Sequence, residues 1–421
     1  MPFRLFLVKI LIIWLAGGSV GQAHEALVQG PEAPPPFATY KVTPDTRGRF
    51  LSVEAEFKIA TGSFYLKDFG QLDSIQWYAD GKEIRVSAKR TKDLITFSRF
   101  PAAGAIRAVY KLNCVMQPIP GYRKRLIGSP NFILAREGLF IGIGGSENSL
   151  VDVRWILPSG WQLAVGGEGM IPFSETQKTL WVAGKTKQFF EQKIDGKIFK
   201  IAVLAETSDL AAQQSVVAVK SVFQYAWKYF GPLQGETFSL AFFAEGSIGG
   251  GTALNYSLAS EENLVTSVHE MLHWWTNFRA PAWFREGVHT YIATKLLTKL
   301  GIVDPSLFDA ALTSFLQEHE KVVKREGKLS SLEESSENYD RQRGGGDMYG
   351  LMPLLAYKLD REIQALRPNA GLEQVFAAVS QKRLEKPDLF ALVKDITGYD
   401  PGPLFQKYFS VKVENPSDLL K

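Results

Sequence analysis

The stretch LVTSVHEMLHWWTNFRAPAWFREGVHTYIATKLLTKLG, residues 264–301, predicts two successive helices. Its first part carries apolar side chains at helical spacing on one face: Leu264, Val268, Leu272 and Trp275. Ser260 is a favoured N-cap, so the first helix is expected to begin there and to continue to about Phe278. Pro281 is expected to open the second helix and Gly301 to close it, because proline favours helix starts and glycine favours helix ends.

Two histidines of the first helix, His269 and His273, stand four residues apart, with Glu270 between them. Residues i and i+4 lie on one face of a helix, so both imidazoles can bind a single metal ion. A catalytic zinc site needs three protein ligands and an open position for water. Glu286 is the predicted third ligand if the second helix folds back antiparallel to the first. The pattern therefore predicts a Zn²⁺ site.

Two neighbours of Glu286 bear on the same site. Thr290 follows one turn later on the same face and is in a position to hydrogen-bond a metal ligand. His289 lies on the neighbouring face and is a rival ligand, although a buried histidine with satisfied hydrogen bonds is the commoner role.

Glu270 is predicted to act as a general base rather than as a ligand. A carboxylate beside the open position of the metal can take a proton from the attacking water and later deliver it to the leaving amine. The oxyanion that develops in such a reaction needs a further hydrogen-bond donor.

Upstream of these helices the sequence has the period of β-strands. Residues 51–59 alternate between apolar and polar, and Asp80-Gly81 separates two apolar runs as in a tight hairpin. Further strand-like stretches lie at 106–112, 139–143, 151–156, 180–182 and 198–203. These patterns predict an antiparallel, sandwich-like β domain over residues 37–205.

Beyond about Ser208 the apolar period becomes helical, with one short strand expected at 238–243. We therefore predict an α+β multidomain chain. After a signal peptide at 1–23 and a linker at 24–36, the β domain at 37–205 precedes a metal-binding catalytic domain at 206–300. A helical region at 301–421 is expected to complete the catalytic cleft.

The N-terminus is typical of an exported protein. Arg4 precedes an apolar run that ends in Gly21-Gln22-Ala23, so cleavage after Ala23 is expected, and the mature chain would be periplasmic or secreted. An uncleaved membrane anchor is the alternative, but the run is shorter than the roughly 20 residues that span a bilayer. No later segment is apolar enough to cross a membrane.

Composition narrows the class of protein further. Loss of residues 1–23 removes Arg4 and Lys9 and lowers the net charge from +4 to +2, and no basic block is present, so nucleic acid is not an expected partner. The single cysteine, Cys114, allows no intramolecular disulfide and is expected to be a small buried residue.

Together, His269–His273 and the run from Trp283 to Tyr291 resemble the gluzincin pattern H-E-x-x-H followed by W-x-x-E-G-x-x-x-Y. Within that group the chain is most similar to the glycyl aminopeptidase family. The closer similarity rests on stretches outside the metal motif: Gly62–Phe69, Trp77 with Ala79–Lys82, Trp155–Trp161, Ile396–Asp400, Phe405 and Tyr408-Phe409. It covers roughly residues 40 to 410.

This resemblance implies zinc, a β domain ahead of a thermolysin-like, mainly helical catalytic domain, and removal of N-terminal residues from peptides. It also implies a tyrosine that stabilises the oxyanion, for which Tyr349 is the first candidate. Tyr339 and Arg341 on the same loop are the alternatives.

The chain departs from the family pattern at four points. Only 12 residues separate His273 from Glu286, which is fewer than in the family. The turn at 249–255 lacks the glutamate that would pair with a substrate's free amine. In the family the tyrosine precedes a K-G pair, whereas here Tyr349-Gly350 is contiguous and Asp347 occupies the matching position. A PDZ-like domain, which relatives often carry after the helical region, is not expected here.

Three functions remain open on these residues. The first is a peptidase, acting either as an aminopeptidase or as an endopeptidase of the same fold. The second is a non-catalytic peptide-binding or scaffolding protein that kept the site, and the third is a purely structural metal site. The intact set of His269, Glu270 and His273 favours the peptidase.

Overall fold

The alternating stretch predicted at 51–59 forms a strand, Phe50–Phe57, in the computed structural model of the chain. The structure describes residues 36–421 except 59–63, 68–70, 92–93, 102–103, 116–125, 136–138, 144–148, 206, 244–249, 254–255, 261–262, 277–279, 328–329, 341–346 and 383–387. The signal peptide and most of the linker predicted for residues 1–36 lie outside the described part.

The strands of the described residues are concentrated in the first 260 positions. They are β1 Ala38–Pro44, β2 Phe50–Phe57, β3 Phe64–Lys67, β4 Leu72–Ala79, β5 Lys82–Ile84, β6 Ser87–Thr91, β7 Leu94–Ser98, β8 Ile106–Asn113, β9 Leu126–Gly128, β10 Phe132–Ala135, β11 Gly142–Ile143, β12 Leu150–Trp155, β13 Trp161–Val165, β14 Gly169–Pro172, β15 Trp181–Ile194, β16 Lys197–Leu204, β17 Thr237–Phe243, β18 Gly250–Ala253 and β19 Tyr256–Ser260.

Two sheets enclose the core of the N-terminal part. One has the order β14-β12-β1-β2-β8-β4-β5 and the other the order β11-β3-β7-β6. Alternate side chains of both sheets meet in one apolar cluster, for example Tyr40 and Val53 from the first sheet and Phe64 and Phe97 from the second. This face-to-face packing confirms the sandwich-like arrangement expected from the period-two pattern.

The first sheet contains both an antiparallel hairpin of neighbouring strands and a parallel pair of strands that are distant in the sequence. The Asp80-Gly81 turn joins β4 to β5, and both turn residues have positive φ, 46° and 81°, as the predicted tight hairpin requires. In contrast, β1 pairs with β12 in parallel, with Ala38 opposite Val151. The sheet is therefore mixed rather than wholly antiparallel.

A third sheet leads from the β-rich part into the metal-binding helices. Its order is β18-β19-β17-β16-β15-β10-β9, with β13 also paired to β15. Strand β16 pairs in parallel with β17, from Ile198 opposite Thr237 to Val203 opposite Phe242. This sheet therefore contains strands from both sides of residue 205. The predicted domain boundary at that residue stays a prediction.

Apart from the short helix α1, the helices of the described residues follow residue 204. In chain order, the helices are α1 Phe173–Thr176, α2 Asp209–Phe230, α3 Leu264–Leu272, a π-helical turn Trp283–Val288, α4 His289–Lys299, α5 Pro305–Glu326, α6 Leu332–Asp340, α7 Leu351–Leu366, α8 Leu372–Lys382, α9 Leu389–Thr397, α10 Gly402–Tyr408 and a 3₁₀ turn Pro416–Leu420. A β-rich part followed by a helical part confirms the predicted fold class.

Helix α3, which carries His269, is shorter than the sequence pattern predicts. Ser260 was the expected N-cap, but it ends strand β19, where it pairs with Phe243. Asn263 caps the helix instead, because its side chain accepts a hydrogen bond from the backbone N–H of Thr266 at 2.9 Å. The helix also ends at Leu272, before the predicted end near Phe278.

The second predicted helix begins with the π-helical turn and continues into α4. Gly287 in this turn has no Cβ, and a Cβ there would lie 2.4 Å from Cβ of Met352 in α7. The glycine therefore lets α7 pack directly against the segment that carries Glu286. Within the described residues, no helix combines the length and the apolar character that a membrane crossing requires.

Substitution of Gly287 by alanine should destabilise the fold. The added methyl group overlaps Met352, and overpacking of this kind lowers the free energy of unfolding by about 1–3 kcal/mol. Denaturant unfolding measures the change. Gly104→Ala is the matched control, because the nearest atom to its added Cβ, Oδ1 of Asp80, lies at an ordinary 3.6 Å. Equal stabilities of the two variants would contradict the close-approach interpretation.

Candidate metal centre

His269, His273 and Glu286 converge in the structure. Their ligand-type atoms all lie within 4.8 Å of one another, and the three residues are between 4% and 6% exposed. The two Nε2 atoms are 3.1 Å apart, and Oε2 of Glu286 lies 3.4 Å from Nε2 of His269 and 4.0 Å from Nε2 of His273. Helix α3 supplies His269, its C-cap residue supplies the second imidazole as His273, and the π-helical turn Trp283–Val288 supplies the carboxylate of Glu286.

This donor set fits a zinc ion. Two imidazole nitrogens and one carboxylate oxygen form one of the common catalytic zinc sets. Ligand atoms bound to one tetrahedral zinc at roughly 2.0–2.1 Å are about 3.3 Å apart. The separations of 3.1, 3.4 and 4.0 Å bracket that value, so small side-chain shifts suffice to bind the ion.

Thr290 determines which nitrogen of His269 faces the cluster. Its hydroxyl donates to the backbone carbonyl of Glu286 at 2.7 Å, and its oxygen lies 3.0 Å from Nδ1 of His269. Because the single hydroxyl proton is used on the carbonyl, Nδ1 of His269 must donate to the threonine oxygen. Nε2 is then the atom left to bind a metal.

Burial and mutual charge set the protonation of the three groups. Burial alone would lower the pKa of His269, but its hydrogen bond with Glu286 and the charges of Glu270 and Glu286 raise it. Burial, and then the charge of His269, lower the pKa of His273 to about 3. Burial opposes ionisation of Glu286, yet the bond to His269 and the histidine charges hold the pKa of its carboxyl well below the usual range.

Glu270 is buried in α3 directly after His269, at 8% exposure. Its backbone carbonyl accepts a hydrogen bond from Ser257 in β19 at 3.0 Å, which fastens α3 to the sheet. Its negative charge raises the pKa values of both His269 and Tyr349.

Tyr349 reaches the cluster from the segment before α7. Its hydroxyl donates to Oε2 of Glu286 at 2.8 Å, and the hydroxyl of Tyr339 lies 3.2 Å away. Burial of the hydroxyl, and then the charge of Glu286, raise the pKa of Tyr349 well above its ordinary value, so the phenol stays protonated. The structure brings both candidate tyrosines to the site, whereas Arg341 lies outside the described residues.

The rival ligand His289 lies outside the cluster. It is fully buried, and its Nε2 is 2.9 Å from the hydroxyl of Thr276. Its ring packs against His273 and Phe376, with centroids 4.5 and 5.1 Å away. His289 is thus a buried core histidine, the commoner alternative, although only its Nε2 has a hydrogen-bond partner among the described residues and its Nδ1 has none.

His319, and its pairing with Asp347, escaped the sequence interpretation. His319 of α5 and Asp347 are both 4% exposed, and Nδ1 of His319 is hydrogen-bonded to Oδ2 of Asp347. A histidine in a chain with only five of them was the available signal. Arg285 also contacts the cluster, with its Nε 3.4 Å from Oε1 of Glu286.

Comparison with solved structures identifies the fold. An aminopeptidase N family protein from Idiomarina loihiensis is similar over 91% of this chain and 78% of its own, with a TM-score of 0.72 and 13% identity. An M1 zinc metallopeptidase from Deinococcus radiodurans matches over 88% of this chain and 92% of its own, with a TM-score of 0.53 and 14% identity. A mutant of the latter, bound to a Tyr-Ser-Ala substrate, matches with a TM-score of 0.55, 13% identity and coverages of 90% and 94%.

These neighbours confirm, at the level of the fold, the resemblance to gluzincin aminopeptidases. No protein-family model matches the chain, and no curated protein matches it either. The closer likeness to glycyl aminopeptidases stays a prediction from the sequence.

Loss of the Thr290 hydroxyl should weaken metal binding. Thr290→Val frees Nδ1 of His269 from its acceptor, and loss of such an outer partner typically lowers metal affinity 10–100-fold. Chelator competition followed by elemental analysis measures the change. Thr294→Val is the matched control, because Thr294 is buried one turn later in α4 and donates only to the carbonyl of Thr290. His269→Ala should abolish binding. Equal zinc affinities for the two threonine variants would contradict the role of Thr290.

Proposed function

We propose that this protein is a zinc-dependent peptidase of the gluzincin type. The observation that carries the proposal is the buried convergence of His269, His273 and Glu286, with Glu270 and Tyr349 beside them. The proposal is supported by a fold shared with M1 zinc metallopeptidases. Export to the periplasm or medium, inferred from residues 1–23, is part of the same proposal.

The residues of the cluster and its neighbours have separate proposed roles in hydrolysis. The two histidines and Glu286 would hold zinc, which would act as a Lewis acid on the scissile carbonyl and lower the pKa of water to about 7. Glu270 accepts the proton of the attacking water and returns it to the leaving amine. Its burial favours this exchange, since a carboxylate shielded from bulk water keeps a strong interaction with a nearby proton.

Tyr349 is the proposed donor to the developing oxyanion. Its raised pKa keeps the phenol protonated at neutral pH, so it always has a proton to donate. Its hydroxyl donates to Oε2 of Glu286 at 2.8 Å, so its single proton would have to turn from that oxygen to the oxyanion of the substrate. Tyr339 is the second candidate, since its hydroxyl contacts that of Tyr349.

The position of cleavage within a peptide depends on what binds its amino terminus. Edge strand β18 packs beside α3, and its Thr252 and Ala253 continue into Leu254, so this stretch offers no carboxylate. Asp347, one possible replacement, is already paired with His319. Glu261 and Glu262 lie outside the described residues. A free amine therefore has no partner among these described groups, which favours endopeptidase action or tolerance of blocked N-termini over strict aminopeptidase action.

The alternative is a non-catalytic peptide-binding protein, or a structural metal site, in the same fold. Both alternatives need the ligands, but neither needs the carboxylate of Glu270. A test that removes this carboxylate and leaves the ligands in place separates them from the peptidase.

Glu270→Gln should keep the zinc and lose hydrolysis. The amide cannot accept the proton, and general base catalysis typically contributes on the order of 10²–10⁴ in rate. Zinc content by elemental analysis and turnover of a fluorogenic peptide are the two measurements. Glu373→Gln is the matched control, because Glu373 is equally buried but pairs with Lys295 and Lys299 at 3.2 and 2.7 Å. Normal turnover in Glu270→Gln, or no turnover by the zinc-loaded wild type, would contradict the proposal.

Acetylation of a substrate's N-terminus should change its cleavage little. Without a carboxylate for the ammonium, a free amine gains no partner and loses solvation on binding. The comparison is kcat/KM for one peptide with a free and with an acetylated N-terminus. A preference for the free amine above about a hundredfold, or ~2.7 kcal/mol, would show that a replacement anion exists.

A further inference from the structure

The hydroxyl of Tyr349 is hydrogen-bonded at the metal cluster, yet the residue as a whole is 44% exposed. An exposed side chain gains little positional restraint from packing, so the position of the hydroxyl depends on its hydrogen bonds with Glu286 and Tyr339 and on the backbone on either side of Tyr349. Catalysis by such a group depends on that restraint, because a misplacement of about 1 Å can cost 10²-fold in rate.

The segment before Tyr349 is anchored by the pair of His319 and Asp347. Both residues are buried, although each is polar and the side chains come from separate parts of the chain. Oδ2 of Asp347 bonds Nδ1 of His319. Its Oδ1 lies 3.4 Å from the backbone N–H of Leu351, and its carbonyl accepts from Met352 at 3.3 Å. Asp347 therefore ties the start of α7 to α5, two residues before Tyr349.

Gly350, on the other side of Tyr349, lies against the same pair. A Cβ at Gly350 would be 2.5 Å from Oδ1 of Asp347 and 2.8 Å from the backbone nitrogen of His319. The backbone on both sides of the tyrosine is thus pressed onto α5. Burial of two polar groups costs free energy unless they are paired, so this arrangement is maintained by the hydrogen bond between them.

We propose that His319 and Asp347 are positioning residues that hold the Tyr349 hydroxyl at the metal site. This proposal rests on the proposed peptidase function. Neither residue touches the metal ligands or the reacting groups; both act through the backbone of residues 347–351.

The kinetic test is a double-mutant cycle between His319 and Tyr349. In zinc-loaded, full-length protein, His319→Leu should lower kcat about 10²-fold, with KM and zinc content little changed. Tyr349→Phe should lower kcat at least as much, since loss of an oxyanion donor costs about 10²–10³. In the Tyr349→Phe background, His319→Leu should cost nothing further. Additive losses would overturn the proposal, because they would show that His319 acts independently of the tyrosine.

Two more variants separate positioning from general stability. His319→Asn should restore most of kcat, because its amide nitrogen can take the place of Nδ1. Glu373→Gln removes one charge from a buried ion-pair network at the other end of α4 and should lower the melting temperature without changing kcat. If His319→Leu does not fold, Gly350→Ala tests the same contact, since its Cβ displaces the segment without removing a polar group. Failure of both to fold would assign the pair to stability and overturn the proposal.

A structural measurement tests the positioning role of His319 and Asp347 without an activity assay. In a crystal structure of His319→Leu, the distance from the Tyr349 hydroxyl to Oε2 of Glu286 should exceed hydrogen-bonding range. An unchanged 2.8 Å contact would overturn the proposal. A wild type that binds zinc but cleaves no peptide would refute the peptidase, while this distance still decides whether the pair positions the tyrosine.

Discussion

The two imidazoles and one carboxylate of the metal cluster impose the constraint on which the rest of the helical part depends. Polar groups cost free energy when they leave water, so their burial within 4.8 Å of one another must be offset by the packing around them. The flanking residues supply that packing: Trp274 and Trp275 follow the second histidine directly, and both are buried in the main core of the helices. Each indole also donates a hydrogen bond, to Ser257 and to the carbonyl of Gly231. The cluster is therefore held by a rigid frame, and its ligand atoms are already close to their binding positions.

The parts of the fold that sequence reasoning predicted are those set by local chemistry. The period-two alternation at 51–59 and the Asp80-Gly81 turn depend on neighbouring residues alone, and both are found. The parallel pairing of β1 with β12 joins residues more than a hundred positions apart, and no local pattern encodes such a partner. Ser260 has a side chain suited to an N-cap, but its backbone pairs with strand β17. Asn263 therefore caps the helix instead. Tertiary pairing overrode local preference there.

The same distinction between local and tertiary determinants applies to the residues of the candidate site. The four-residue spacing of His269 and His273 indicates a shared face directly. The contribution of Glu286 depends on how α3 packs against the next helical segment, and the short connection made it uncertain from sequence. A π-helical turn, whose i to i+5 hydrogen bonds leave no clear mark in residue type, carries Glu286 to the cluster. The pairing of His319 with Asp347 joins a helix to a loop 28 positions away, and only the folded chain brings the two together.

The parallel pairing of β16 with β17 also affects how the chain acquires its structure. A ribosome releases residues in order, so β15 and β16 emerge well before β17–β19, with all of α2 between them. Until residues 237–243 arrive, the edge of β16 presents unpaired backbone N–H and C=O groups, which can pair with another chain. Folding of the β-rich part is thus completed only after synthesis has passed the strand that precedes the metal-binding helix. A fragment that stops at residue 205 would lack β17, so the edge of β16 would stay unpaired and the fragment would be prone to aggregate.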